Sequence, residues 1–123
     1  MTGRRLILVA DDDADILALI KAVLERSGHE VVAVADGAEA LAGVRMHRPD
    51  LAVLDITMPL VDGLEVLRRL RADSETAALP VVLLSAQAQE ADVVRGFATG
   101  ASAYMKKPFS PRDLVARVAE LLS

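Results

Sequence analysis

The chain has no cysteine and no tryptophan, and only one tyrosine and two phenylalanines in 123 residues. Without cysteine there is neither a disulfide framework nor thiol chemistry. With so few aromatics the core must be aliphatic. No apolar run approaches the roughly 18 residues of a membrane span. The apolar run from Leu6 to Ala10 follows two arginines but is too short for a secretory leader and runs into three aspartates. A net charge of −4 sets up no general attraction for nucleic acid. Neither a repeat nor a linker is visible. These absences fit a cytoplasmic domain that touches neither membrane nor nucleic acid. What is abundant is apolar material, 53% of the chain, enough for one sizeable core. Residues 1–123 read as a single domain of ordinary size, with no effector domain following.

The apolar residues come in short runs separated by helical patterns. Residues 6–10 and 51–54 are continuous apolar runs of the kind a doubly buried strand needs. Residues 30–35, 80–84 and 101–105 read as three more strands. Apolar residues at 16, 17, 19, 20, 23 and 24 form a first helix, stopped at Gly28. A second helix begins at Asp36-Gly37 and stops before Pro49. A third covers about 63–72, with Leu64, Leu67 and Leu70 on one side and Arg68, Arg69 and Arg71 on a solvated face. A fourth runs over 90–99 to Gly100. Ser110 caps the last, with Pro111 in its first turn. Strand and helix alternate five times, which predicts an α/β doubly wound parallel sheet with helices on both faces.

Chemistry-bearing residues fall at the carboxyl ends of these strands. Asp11 and Asp12 follow the first strand, Asp55 ends the third, Ser85 ends the fourth and Lys107 lies just past the fifth. A doubly wound sheet gathers these ends at one edge, where ligands bind. Three carboxylates there repel one another, so a divalent cation is the natural counter-charge. An all-oxygen donor set favours Mg²⁺, or Mn²⁺, over zinc. Mg²⁺, a lysine and a hydroxyl around an ionised carboxylate make a phosphoryl-transfer site. The carboxylate is the nucleophile and needs no general base. The competing structural reading makes Asp11–Asp15 a simple helix cap. Asp55 and Lys107 weigh against it. His29 and His47 read as surface residues.

The motifs Leu8–Asp12, Asp55–Gly63, Ser85-Ala86, Gly100–Tyr104 and Lys107–Phe109, in this order and spacing, resemble bacterial response-regulator receiver domains over the whole chain. The strand order 2-1-3-4-5, flavodoxin-like, comes with that resemblance. It implies that Asp55 accepts a phosphoryl group from a sensor histidine kinase or a histidine phosphotransfer protein. Asp12 and Asp55 would hold Mg²⁺ with the backbone carbonyl of Thr57, while Asp11 helps through water. Lys107 would contact the phosphoryl group, and the bond from Lys107 to Pro108 would be cis. Ser85 and Tyr104 would form a switch pair. Thr57 and Gln87 would shape the approach of hydrolytic water. The output would pass through helix 4, strand 5 and helix 5 to an effector or a second copy, with charges at Asp92, Arg95, Asp113 and Arg117. Such a domain catalyses its own phosphorylation and dephosphorylation at most. Two features depart from the commonest pattern: Ser85 replaces a threonine, and Ser102-Ala103 stands where many DNA-binding members have two acids.

Rival functions fare worse. A haloacid-dehalogenase-type phosphatase needs a second aspartate where Thr57 stands. A flavin carrier needs a Ser/Thr/Gly-rich phosphate loop after the first strand, and aspartates occupy that place. A pseudo-receiver that binds partners without taking phosphate is the remaining alternative, and Mg²⁺ binding discriminates it. The apolar stripe of the first helix is wider than one core face requires. Ile16 and Leu19, with Pro108 and Phe109 nearby, are therefore expected to form part of a kinase-docking surface.

Overall fold

The computed structural model describes residues 4–86 and 90–123, without the side chains of 90–92. Five strands and five helices alternate: β1 (Leu6–Ala10), α1 (Ala14–Arg26), β2 (Glu30–Val34), α2 (Gly37–His47), β3 (Leu51–Asp55), α3 (Gly63–Ala72), β4 (Val81–Ser85), α4 (Glu90–Thr99), β5 (Ala103–Lys106) and α5 (Pro111–Leu122). All strand pairs are parallel, in the order β2-β1-β3-β4-β5.

Alternation along the strands divides the core into two layers. Leu8, Ala10, Ala52, Leu54, Val81 and Leu83 point to one face, where Ala40 and Val44 of α2 and Val66, Leu67 and Leu70 of α3 cover them. Ile7, Val9, Leu51, Val53, Val82 and Leu84 point to the other, under Ile20 and Leu24 of α1 and Leu114 and Val118 of α5. The central strands β3 and β4 are buried throughout. This is why their sequences are continuous apolar runs rather than alternating ones.

Side-chain caps start the helices where the sequence places them. Asp13, Asp36, Asp62 and Ser110 accept backbone N–H bonds from the first turns of α1, α2, α3 and α5. Gly28 and Gly100, with φ of 95° and 113°, end α1 and α4. Helix α2 stops differently. Arg48, at φ 48°, takes the left-handed role that glycine plays elsewhere, just before Pro49.

Some boundaries and burial states differ from expectation. Strand β2 stops at Val34 because the N–H of Ala35 is taken by Glu39 Oε1 at 2.9 Å. Strand β5 begins at Ala103, two residues later than expected, and extends through Lys106. The N–H of Ala101 closes the end of α4 on Gly96 O, and the Ser102 hydroxyl replaces a ladder acceptor by receiving the Val81 N–H at 3.0 Å. His29 is half-buried rather than on the surface. Its Nδ1 is buried without a hydrogen-bond partner among the described residues, because the Gly28 turn folds the chain back there. Arg71 is not part of a solvated face. It is half-buried and donates to Gly100 O at 3.0 Å and Thr76 O at 3.3 Å, tying α3 to the end of α4, while Arg68 and Arg69 pair with Glu65 in solvent. His47 is exposed, as expected.

Leu67 is fully buried between α3 and the sheet, whereas Met46 is 77% exposed. Leu67→Ala should lower the unfolding free energy by about 2–5 kcal/mol. Met46→Ala should change it by less than about 0.5 kcal/mol. Urea unfolding of both variants checks this, and equal midpoints would contradict the assigned core.

Candidate functional site

The parallel register brings the strand ends together. Ala10 lies opposite Leu54, Asp55 opposite Leu84, and Ser85 opposite Lys106. The backbone ties the edge beyond the ladder. Ile56 N–H donates to Leu84 O at 2.9 Å, and Lys107 N–H donates to Ser85 O at 2.8 Å. Asp11, Asp55, Ser85 and Lys107 therefore converge, although up to 96 residues separate them.

Ligand oxygens of Asp11, Asp12 and Asp55 all lie within 4.8 Å of one another. Asp11 is fully buried, Asp55 is 5% exposed and Asp12 is open to solvent. Lys107 Nζ donates to Asp11 Oδ2 at 2.8 Å and lies 3.4 Å from Asp55 Oδ2. The peptide bond from Lys107 to Pro108 is cis, as expected. Asp11 Oδ1 also accepts the N–H of Asp13 at 2.9 Å. The helix-cap role in the acidic cluster belongs to Asp13, which accepts from Asp15 and Ile16 N–H. Capping and site chemistry are thus divided among neighbouring aspartates. The sequence shows the cluster, but only the backbone path assigns the cap to its third member.

The electrostatics follow from this crowding. Burial, then the Asp11 carboxylate, pushes Asp55 up to about 6, against the opposing charge of Lys107. Burial alone would lower the pKa of Lys107. The hydrogen bond to Asp11 and the charges of Asp55 and Asp11 outweigh it and raise the value. Three carboxylates around one ammonium leave an excess of negative charge. The donor set fits a small hard cation. In octahedral Mg²⁺ coordination, opposite ligands lie about 4.2 Å apart at bond lengths near 2.1 Å. One oxygen from each of the three carboxylates lies within 4.8 Å of the other two, close enough to share such a cation.

Ser85 is buried beside Asp55, at the end of β4. Tyr104 lies in β5. Its ring is next to Gly96 of α4, and its hydroxyl is buried with no hydrogen-bond partner among the described residues. Thr57 is exposed in the β3–α3 loop. Gln87 and the side chain of Asp92 fall outside the described residues. Asp113 and Arg117 are exposed on α5, and Arg117 pairs with Glu120 at 3.6 Å. They line a groove of about 430 Å³ with Tyr104, Lys106 and Phe109. Val94 and Phe97 of α4 are also exposed. On α1, Leu19 is 47% exposed, whereas Ile16 packs partly into the core.

The doubly wound sheet thus gathers three aspartates and a lysine at its switch point, the place where such sheets bind ligands. The chain belongs to the response regulator receiver domain family, which matches residues 7–119. It is 45% identical over 117 residues to the DNA-binding response regulator MtrA of Mycobacterium tuberculosis, covering 95% of this chain and 50% of that protein. It is 45% identical over 116 residues to the alkaline phosphatase synthesis transcriptional regulatory protein PhoP of Bacillus subtilis, covering 94% and 48%. The chain thus spans about half the length of these relatives. Among solved structures, a putative response regulator from Chloroflexus aurantiacus superposes with a TM-score of 0.93 at 35% identity, covering 98% of both chains. The chemotaxis response regulator CheY4 of Vibrio cholerae gives 0.91 at 30% identity, covering 98% of this chain and 100% of that one. Receiver domains bind Mg²⁺ at such an aspartate cluster, and response regulators take phosphate from histidine kinases. Among the described residues no helix is long and apolar enough to cross a membrane.

The raised Asp55 value predicts a pH dependence of stability. A folded-state pKa above the ordinary 3.8 means that ionisation opposes folding. The penalty is absent below about 3.8, grows between 3.8 and about 6, and is complete above that. Without metal, Asp55→Asn should therefore raise the urea midpoint at neutral to alkaline pH, and the gain should fade on acidification. A lower midpoint for the variant at alkaline pH would mean that attraction to Lys107 dominates burial.

Proposed function

We propose that this domain is a phosphorylation-dependent signalling switch in which Asp55 is the acceptor. The observation that carries the proposal is the position of Lys107 Nζ between Asp11 and Asp55, within a cluster of three carboxylates. Asp12, Asp55 and the carbonyl of Thr57 would hold Mg²⁺, with Asp11 acting largely through water. When bound, the cation supplies charge neutralisation and orients phosphoryl oxygens. An Asp55 oxygen attacks the phosphorus of a phosphohistidine. The new O–P bond replaces the N–P bond, and the imidazole nitrogen leaves. Lys107 neutralises charge on the transferred group. Burial helps here too, because excluded water strengthens each of these attractions.

The donor is a sensor histidine kinase or a phosphotransfer protein. Leu19, exposed on α1, would belong to its docking surface together with Pro108 and Phe109. The output face is α4, β5 and α5, read by an effector or a second copy of the chain. Ser85 is the lever, since its hydroxyl can donate to the new phosphoryl oxygens. Phosphate need not create the switched state; it acts by binding that state better than the resting one. A shift from 1:99 to 99:1 needs about 5.5 kcal/mol of preference. Charge-assisted hydrogen bonds of about 1.5–3 kcal/mol each, from Ser85 and Lys107, approach that value.

Incubation with Mg²⁺ and acetyl phosphate should add one acid-stable, base-labile phosphoryl group, detected by intact mass. An unchanged mass, or equal labelling of Asp55→Asn, would overturn the proposal and favour a pseudo-receiver. Leu19→Glu should keep acetyl phosphate labelling and lose transfer from the kinase.

Ser85→Ala should still be labelled at Asp55 but transmit poorly. Amide chemical shifts of a phosphate-mimic complex report this directly. If α4 and Tyr104 respond equally in both proteins, Ser85 is not the lever.

A further inference from the structure

The loop after β3 is held in an uncommon shape. Val61 N–H donates to Pro59 O at 2.9 Å, closing a three-residue turn with Leu60 at φ 69°. A leucine in the left-handed region is strained, and such strain persists only where the surroundings impose it. Two close contacts do so. At the inner end, Gly63 lies against the Asp55–Ile56 backbone, and its N–H donates to Ile56 O at 2.9 Å. At the outer end, the Val61 carbonyl lies against Gly37, the first residue of α2. A Cβ on Gly37 would sit 1.8 Å from Val61 O.

Gly37 is not a glycine because of its backbone conformation, as it is not among the positive-φ residues. In a helix, alanine would be the better former. What requires glycine is the approach of a neighbouring carbonyl, which cannot yield as a flexible side chain can. We propose that Gly37 is a positioning residue for the acceptor site. It lets α2 buttress the β3–α3 loop from outside, and the buttress holds in place the loop that carries the Thr57 carbonyl. This rests on the reading of Thr57 and Asp55 as cation ligands given above. Helix α2, which contributes no side chain to the site, thereby sets its cation affinity.

Gly43 on the same helix provides the control. Its Cβ would meet only Leu8 Cδ1, at 2.6 Å, in the core and away from the loop. Titration of this chain with Mg²⁺ alone, followed by amide chemical shifts, separates the two roles. Gly37→Ala should move the amides of Thr57, Leu60 and Val61 before any metal is added, and should weaken Mg²⁺ binding about tenfold or more, as loss of ligand-orienting contacts does. Gly43→Ala should lower stability but bind Mg²⁺ like the parent. Should Gly37→Ala fail to fold, Gly37→Ala combined with Leu60→Gly relaxes the turn and should show the same loss of affinity. Parent-like binding by the Gly37 variants, or an equal loss in Gly43→Ala, overturns the buttress. Absence of Mg²⁺ binding by the parent overturns the reading of the site itself, and with it the inference.

Discussion

Burying Asp11 and Asp55 side by side is the constraint around which the molecule is arranged. Two carboxylates withdrawn from water raise each other's energy, and a third, Asp12, stands at the rim. Lys107 offsets part of this, with its ammonium 2.8 Å from Asp11 and 3.4 Å from Asp55. It cannot offset all of it, and Asp55 stays well above its ordinary pKa. An arrangement that is locally unfavourable persists because the rest of the fold supplies the stability. The same imbalance favours a positive charge at the site.

That stability comes from the two aliphatic layers on either side of the sheet. With aromatics nearly absent, packing rests on Leu, Ile and Val, and the central strands are sealed on both faces. Parallel strands need crossover helices, and right-handed crossovers send successive strands outward from a switch point. Once β1 and β3 pair at the centre, their following residues must meet. The position of the site is thus a consequence of topology rather than of any local preference of the aspartates.

Connections between the site and distant surfaces run through a few specific contacts. The Ser85 carbonyl receives the Lys107 N–H, so the ends of β4 and β5 are tied. Gly96 of α4 lies beside Tyr104, and Arg71 joins the end of α3 to Gly100 at the end of α4. Helix α4 is thereby anchored at its C-terminal end by a half-buried guanidinium, while its N-terminal end follows the Ser85 loop.

The sequence by itself determined the alternation of elements, the aspartates at helix starts, the aliphatic core and the placing of Asp11, Asp12, Asp55, Ser85 and Lys107 at strand ends. Each is a local property: an apolar run of fixed length, an aspartate before a helix, a carboxylate closing a buried strand. The family resemblance supplied the strand order, which pattern alone leaves among several. Other features were illegible for a common reason. The burial of His29 Nδ1, the strut made by Arg71 and the replacement of a ladder acceptor by Ser102 depend on what lies across space, not along the chain. Arg71 reads like Arg68 and Arg69 until the carbonyls of Gly100 and Thr76 arrive within reach of it. Likewise nothing local makes Leu60 adopt a left-handed turn, since leucine disfavours it. Only the packing of α2 and of Gly63 against that loop, made possible by two glycines without Cβ atoms, imposes the shape.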